Sequence, residues 1–223
     1  MLHHLSRVLR LKVGDRLECF DGQGGCYVGV VRQHTRDRLT LTIEQRVEEP
    51  PGPLQITLAF AVIRPERIEW IIEKATELGV SRLVPFITSR TRMQRSPHGH
   101  AHRLTRWRRI VTEATRQCGR SFVPSIEVPQ PFEQLMKEPL EQPTLLLTLA
   151  AEHRRGLEQC LRELQGMTSV TIMIGPEGDF SPEEIALATQ RGAQLITIGQ
   201  KPLRAETAAI VALTILQHAV GVL

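Results

Sequence analysis

Residues 170–184 read VTIMIGPEGDFSPEE, and in this stretch a buried strand, a sharp turn and a helix start follow one another. The run 170–174 is almost wholly apolar, as in a strand covered on both faces of a parallel sheet. Two glycines and a proline in residues 175–178 then turn the chain and expose main-chain N–H and C=O groups. Residues 181–184 (SPEE) place Ser at the N-cap, Pro at N1 and Glu at N3, which is a capping box. The stretch therefore predicts a strand–turn–helix unit whose turn is held firmly.

The same alternation of apolar runs and helical periodicity extends to both sides of this unit. Apolar runs predict strands at residues 54–63, 83–87, 144–149, 170–174 and 195–198. Helical spacing of apolar residues predicts helices at residues 65–78, 102–118, 153–165, 182–191 and 206–221. Strands that alternate with helices indicate an α/β domain with a parallel sheet. Ligands of such sheets bind beyond the carboxyl ends of the strands, so the loops after residues 149, 174 and 198 form the candidate site.

The first 48 residues follow a different pattern, that of a small β domain. Runs rich in β-branched or aromatic residues predict strands at residues 17–20, 27–31 and 39–47. Residues 21–25 (DGQGG) predict a hairpin turn and not a dinucleotide-binding loop, because no helical pattern follows them. Residues 49–53 (EPPGP) interrupt both strands and helices. We therefore predict a β domain at residues 1–48, a linker at 49–53 and an α/β domain at 54–223.

The charge of the chain is unevenly distributed. Its 223 residues carry 28 basic and 24 acidic side chains, which is a formal net charge of +4. Residues 81–120 hold ten Arg and one acidic residue, so this segment carries +9, whereas the rest carries 18 basic and 23 acidic side chains, or −5. A mildly acidic body with one basic segment predicts a polyanionic partner, with nucleic acid first. A GC-rich genome would equally explain the preference for Arg over Lys, but it does not explain the clustering.

Several classes of site and location are not expected from this sequence. Cys19, Cys26, Cys118 and Cys160 show neither CxxC spacing nor close His partners, so we expect no zinc site and no disulfide framework. The histidines at 98, 100 and 102 have no Cys or acidic companions, so a solvated loop without a metal is expected. Residues 1–12 contain no apolar signal-peptide core, and the apolar run 208–223 is too short to span a membrane. We expect a cytoplasmic protein with no membrane partner.

The loop at residues 198–208 (IGQKPLRAETA) leads into the apolar C-terminal helix. Arg204 and Glu206 lie at the start of that helix, where charges beside apolar surface need partners. A local ion pair would explain these two residues by itself, and an ordinary strand-to-helix turn would explain the cap at residues 181–184. Neither explanation requires the GPEG turn.

Together, the two loops resemble a known family. GPEGDFS at residues 175–181, followed by IGQKPLRAETAA at 198–209, is similar to the paired signature of the 16S ribosomal RNA uridine-N3 methyltransferases of the SPOUT superfamily. Further segments match in the same order: HHLSRVLRLKVGD and FDGQGGCY within residues 3–27, KATELGV at 74–80 and RWRRIVTEATRQCGR at 106–120. The resemblance covers nearly the whole chain.

The resemblance implies a fold, a cofactor and a substrate. The fold is a PUA-like β-barrel followed by an α/β domain with a deep trefoil knot. The cofactor is S-adenosyl-L-methionine, held by the knot loops of a homodimer, and the substrate is the 16S rRNA of the small ribosomal subunit. Carried onto this chain, the cofactor-binding residues are Leu147, Thr148, Gly175, Pro176, Glu177, Gly178, Ile198, Gly199, Leu203, Arg204, Ala205 and Thr207.

Two features depart from the family pattern. The family usually has Gly where this chain has Asp179. Because Asp adopts left-handed backbone geometry more readily than most residues, we expect the turn to be kept. Family members also usually carry a further strand before the segment that begins at His3, and this sequence does not contain it. We expect the missing strand to affect RNA affinity more than catalysis.

Methylation of uridine N3 removes a weakly acidic N–H and directs the nitrogen at an activated methyl group, so the enzyme mainly aligns the reactants. The deprotonated base carries negative charge on its carbonyl oxygens, which a guanidinium would stabilise. Arg204 is our candidate for this catalytic role. Glu206 acts either as the base or by orienting Arg204, and we favour orientation because a carboxylate beside Arg is a poor base.

Cys118 would allow a different chemistry. Methylation at pyrimidine C5 commonly uses a Cys nucleophile, and neighbouring arginines favour a reactive thiolate. Methylation at N3 needs no covalent step, and a lone helical Cys is more often buried in packing. We therefore expect a structural role for Cys118.

The basic segment is expected to contact RNA phosphates. The arginines on the loop after the strand at residues 83–87 are Arg90, Arg92 and Arg95, and those expected on the following helix are Arg106, Arg109, Arg116 and Arg120. Trp107 is expected to pack rather than to stack on a base. The basic start of the β domain, with Arg7 and Arg10, is either a second RNA contact or an ordinary solvated face.

Two alternative functions stay open. Another SPOUT methyltransferase, acting on ribose 2′-OH or a different base, would have similar loops because they hold the methyl donor and not the acceptor. A non-catalytic RNA-binding assembly factor is the alternative of a different class, and the intact third loop argues against it.

Overall fold

The computed structural model describes residues 11–35, 38–91, 97–140, 142–150, 154–164 and 166–222, with the backbone alone for residues 97–101. The described chain divides into two compact units. The first contains residues up to Pro51 together with Gly119–Val123, and the second contains the remainder. The sequence did not lead us to expect that Gly119–Val123 would join the first unit, and the domain limits given above stay a prediction.

Within the described residues, the first unit is an antiparallel sheet in the order β1–β2–β3. Its strands are β1 (Arg16–Phe20), β2 (Gly25–His34) and β3 (Leu39–Glu48). Asp21 holds the turn between β1 and β2, because its Oδ1 accepts the main-chain N–H groups of Gln23 (2.7 Å) and Gly25 (3.0 Å). The hydrogen bond from Gln23 is the main cause that lowers the pKa of Asp21. The predicted strands and hairpin are confirmed.

The second unit is built on a parallel sheet. Its strands are β4 (Gln55–Ala61), β5 (Arg82–Ile87), β6 (Ser125–Ile126), β7 (Gln130–Pro131), β8 (Thr144–Leu147), β9 (Arg155–Gly156), β10 (Ser169–Ile174) and β11 (Gln194–Thr197). Their order is β6–β5–β4–β10–β8–β11–β9, and β7 pairs with β5. Each of these pairs is parallel. β10, which comes late in the sequence, therefore lies between β4 and β8.

Helices cover both faces of this sheet. They are α1 (Pro65–Glu77), α2 (Pro97–Cys118), α3 (Phe132–Leu135), α4 (Leu157–Leu161), α5 (Pro182–Gln190) and α6 (Ala205–Ala219). Alternate side chains of β4 point to opposite faces. Leu58 and Phe60 join one core with α1, α2, α4 and α6, whereas Ala59 and Ala61 join another with α3 and α5. β4 is thus buried on both faces, which confirms the prediction from its apolar run.

The structure corrects the sequence prediction in two places. The helix predicted at residues 153–165 is α4 alone in the described part, because Arg155 and Gly156 pair with β11 through their main chains. The short elements β6, β7 and α3 were missed, since two to four residues are too few to carry a periodic signal.

No helix among the described residues is long and apolar enough to cross a bilayer.

Candidate functional site

Three loops meet at the carboxyl edge of the parallel sheet and form a cleft. They follow β8, β10 and β11, which are neighbours in the sheet. The cleft is open to solvent and has a volume of about 110 Å³. The structure thus brings together the three loops that the sequence pointed to.

Most of the predicted cofactor-binding residues line this cleft. They are Leu147, Thr148, Gly175, Pro176, Glu177, Ile198, Gly199, Leu203 and Ala205, whereas Gly178, Arg204 and Thr207 are not in its lining. The lining residues that sequence reasoning missed are Leu149, Ile174, Asp179, Thr197, Lys201, Pro202 and Ala208. Only their position could have pointed to them, because each lies in or beside one of the three loops. The binding of a cofactor by these residues stays a prediction.

The turn after β10 is held at both ends. A Cβ atom on Gly175 would lie 2.9 Å from the ring of Phe180, so this position needs a glycine. At the far end, Ser181 Oγ accepts the N–H of Glu184 (3.2 Å), and Glu184 Oε2 accepts the N–H of Ser181 (2.9 Å). The predicted capping box is confirmed. The buried Glu184 also accepts the N–H of Ser89 (2.8 Å), which attaches the helix start to the loop after β5.

Asp179 joins the turn after β10 to the loop after β8. Its backbone is left-handed, with a φ of 59°, which confirms the expectation that Asp keeps the turn. Its Oδ2 accepts the hydroxyl of Thr148 (2.9 Å) and the N–H groups of Leu149 (2.9 Å) and Ala150 (3.1 Å). Its Oδ1 accepts the N–H of Phe180 (2.8 Å). One carboxylate therefore fixes the relative positions of two of the three loops.

The charged residues at the start of α6 are arranged differently from our expectation. Arg204 is the N-cap residue of α6, and its side chain is exposed. Glu206 pairs with Arg67 of α1 (Nε to Oε1, 3.5 Å) and not with Arg204. We expected Glu206 to orient Arg204, and the structure does not show that contact. Arg67 Nη1 also donates to Glu177 Oε1 (2.9 Å). The second oxygen of Glu206 is buried and has no hydrogen-bond partner among the described residues.

Arg67 is therefore a site residue that sequence reasoning missed. Its signal was its place in the first turn of a helix that follows β4, beyond the carboxyl end of a central strand. The partners of Arg67 could not be found in this way, because Glu177 lies on the loop after β10 and Glu206 lies in the first turn of α6.

The basic segment is partly neutralised by ion pairs. Arg106 of α2 pairs with Glu69 of α1 (2.6 Å), and Arg116 pairs with Glu113. Trp107 is 2% exposed and packs in the core, as expected. The charge available to a polyanion on α2 is therefore smaller than the composition suggests.

The other arginines expected to contact RNA have different surroundings. Arg90 lies on the loop after β5, where its Nη1 donates to the carbonyl oxygen of Gly178 (2.6 Å). Arg109 is exposed on α2. Arg120 lies beyond the end of α2, so its assignment to that helix was wrong; the chain turns there into the segment that joins the first unit. Arg7, Arg10, Arg92 and Arg95 lie outside the described residues, as do the side chains of His98 and His100.

The cysteines and possible metal ligands give no further site. Cys118 is exposed at the end of α2, so the expectation of a buried packing role was wrong. It is not in the lining of the cleft. Cys160 is buried, and burial raises the pKa of its thiol. In the part of the chain that the structure describes, no group of three or more His, Cys, Asp or Glu could hold a metal ion.

Comparison with known families identifies both units. Residues 50–217 match the family described as the RNA methyltransferase domain, and residues 2–44 match the RNA methyltransferase PUA domain. The chain is 35% identical to the ribosomal RNA small subunit methyltransferase E of Synechocystis sp. over 95% of this chain and 69% of that protein. It is 32% identical to the enzyme of the same name from Rickettsia conorii, over 95% of this chain and 84% of that protein.

Solved structures agree with this match. A methyltransferase from Legionella pneumophila in complex with the cofactor SAM superposes with a TM-score of 0.87 and 32% identity, over 98% of this chain and 88% of that one. The ribosomal RNA small subunit methyltransferase E of Neisseria gonorrhoeae bound to S-adenosyl methionine superposes with a TM-score of 0.82 and 26% identity, over 97% of this chain and 88% of that one. The chain therefore belongs to the RNA methyltransferase family that includes the ribosomal RNA small subunit methyltransferases E.

Proposed function

We propose that this protein transfers a methyl group from S-adenosyl-L-methionine to N3 of a uridine in the 16S rRNA of the small ribosomal subunit. The observation that carries the proposal is the three-loop cleft at the carboxyl ends of β8, β10 and β11, in a chain similar to SAM-bound methyltransferases. The proposed substrate makes the cytoplasm the place of action.

The residues of the cleft fit this cofactor. Leu147, Ile198 and Leu203 offer apolar surface to a flat adenine ring, and the loops offer main-chain polar groups to its edges. The Glu177 carboxylate would attract the cationic ammonium and sulfonium groups. The cleft volume of about 110 Å³ is small, so the cofactor would extend partly into solvent. When bound, it supplies an electrophilic methyl group on a sulfonium.

The residues at the mouth of the cleft would act on the acceptor base. Arg204 is exposed at the N-cap of α6 and can approach a uracil carbonyl oxygen, where negative charge develops as the N3 proton leaves. We assign to Glu206 the positioning of Arg67, in keeping with their ion pair. The alternative is that the second oxygen of Glu206, which has no partner among the described residues, accepts the N3 proton.

The finer fold is also part of the proposal. The resemblance favours a deep trefoil knot and a homodimer in which the second subunit completes the site. The strand order supports the knot, because the chain must return to the middle of the sheet to insert β10 between β4 and β8. We extend the resemblance to these features on that basis.

One experiment tests the proposed function. The protein is incubated with labelled S-adenosyl-L-methionine and unmodified small ribosomal subunits, and the modified nucleotide is then mapped. We expect label on N3 of a uridine in 16S rRNA. Label on a ribose 2′-oxygen or another base would support the related methyltransferases instead, whereas cofactor binding without transfer would contradict an enzymatic role.

A further inference from the structure

A second cavity lies on the other side of the turn after β10. It has a volume of about 930 Å³ and is built at the carboxyl ends of β4 and β5. Pro176 and Glu177 line both this cavity and the cofactor cleft, because β10 lies between β4 and β8. A single turn of chain therefore separates the two spaces.

The lining of this cavity has an excess of positive charge. Arg64, Arg67 and Arg90 contribute three guanidinium groups, and Glu177 contributes the carboxylate among the lining residues. Arg64 is the N-cap residue of α1, and no side chain caps that helix start with a hydrogen bond. The positive end of the α1 dipole adds to the charge of the arginines, and the exposed Glu66 in the same first turn offsets part of it. A volume in the usual range for ligand sites and an excess of positive charge favour an anionic ligand of nucleotide size.

Two of these arginines are held in place and keep donors to spare. Arg67 is bound to Glu177 and Glu206, and Arg90 is bound to the carbonyl oxygen of Gly178. A guanidinium has five N–H donors, so neither set of contacts exhausts it. Both side chains are thus oriented by the wall that separates the cavity from the cleft, while they can still bind phosphate oxygens.

We propose that this cavity binds the target nucleotide of the RNA, with Arg64, Arg67 and Arg90 on its phosphates. The inference rests on the proposed function, because methyl transfer requires the acceptor nitrogen about 3–3.5 Å from the donor carbon. The acceptor must therefore enter beside the cofactor cleft, and this cavity shares its wall. The base would pass over the turn at Pro176 and Glu177 toward the mouth of the cleft.

Arg64→Gln and Arg90→Gln test the proposal, with Arg191→Gln as the matched control. Arg191 is an exposed arginine at the C-cap of α5, away from both spaces. The dissociation constant for unmodified small ribosomal subunits is measured across a salt series, and the affinity for S-adenosyl-L-methionine is measured by calorimetry. Each cavity variant should weaken subunit binding about tenfold and reduce the salt slope by about 0.7–0.9. Arg64→Gln should leave cofactor affinity unchanged.

The outcomes separate this inference from the proposed function. If both cavity variants bind subunits as tightly as Arg191→Gln does, the cavity assignment is overturned. Loss of cofactor affinity in Arg64→Gln also overturns it, because the effect would then pass through the turn. A wild-type protein that binds subunits but transfers no methyl group contradicts the proposed function, and the comparison of variants still decides the cavity. A wild-type protein that binds no subunits overturns both.

Discussion

Asp179 Oδ2 accepts the hydroxyl of Thr148 at 2.9 Å, across 31 residues of sequence, and so connects the loop after β10 with the loop after β8. The same oxygen accepts two main-chain N–H groups from the β8 loop. Both loops line the three-loop cleft. The shape of the cleft therefore depends on this one carboxylate.

Removal of this carboxylate should weaken cofactor binding. Asp179→Gly keeps the left-handed backbone accessible but loses every acceptor, so we expect the Kd for S-adenosyl-L-methionine to rise about tenfold or more. Asp179→Asn keeps one acceptor oxygen, so its Kd should lie between those of the wild-type protein and Asp179→Gly. Calorimetry measures both, with Asp21→Asn in the first unit as a control for a lost Asp acceptor. Wild-type affinity in Asp179→Gly would show that the contact is not needed.

The close packing of Gly175 predicts a difference between two glycines of the cleft. A Cβ at Gly175 would meet the Phe180 ring at 2.9 Å, whereas a Cβ at Gly199 would meet nothing within 4 Å. We expect Gly175→Ala to lower the free energy of unfolding by about 1–3 kcal/mol and Gly199→Ala to change it by less than about 0.5 kcal/mol. Denaturant unfolding of both variants measures this. Equal stability of the two would contradict the packing argument.

Arg204 should matter for turnover more than for cofactor binding. It is exposed at the N-cap of α6 and lies outside the lining of the cleft, although Leu203 and Ala205 on either side belong to that lining. Arg204→Ala should lower kcat about a hundredfold at saturating RNA and cofactor, because a guanidinium opposite the developing charge is lost. Its Kd for S-adenosyl-L-methionine should change little. Arg191→Ala serves as the charge control, and near-normal turnover of Arg204→Ala rules out the assigned role.

Two variants of Glu206 can distinguish a role in positioning Arg67 from a role as the base that accepts the N3 proton. Glu206→Gln retains an oxygen that can accept from Arg67, so a positioning role predicts that most activity and the pH–rate profile are kept. Glu206→Ala should lose both the contact and most of the activity. A base role predicts instead that Gln is as damaging as Ala and that the acidic limb of the profile disappears. The pH dependence of kcat for the two variants distinguishes these roles.

Cys118 should be reactive but dispensable. It is exposed, whereas Cys160 is 1% exposed with a pKa raised by burial. Limited alkylation, followed by mass spectrometry, should therefore modify Cys118 well before Cys160. Methyl transfer should be unchanged after this modification and in Cys118→Ser, because attack by N3 needs no covalent intermediate. Loss of transfer in both would favour methylation at C5.

Much of the site could be predicted because its signals are local. The capping box at Ser181 and Glu184 depends on residues three positions apart, and the left-handed turn depends on the intrinsic preference of Asp179. Arg155 and Gly156 show the opposite case. Their helical pattern was overridden by pairing with β11, which lies about forty residues further along the chain.

The sequence by itself determined the alternation of strands and helices, the GPEG turn with its cap, and the family to which the paired loops belong. The alternation and the capped turn follow from residue preferences and from hydrogen bonds between near neighbours, whereas the family follows from the resemblance of the two loop motifs. Only the tertiary structure decided that Glu206 pairs with Arg67 and that two spaces share the turn at Pro176 and Glu177. The first depends on the packing of α6 against α1, and the second on the insertion of β10 between β4 and β8. Strand order is set by the packing of side chains on distant segments, and no local pattern in the sequence records it.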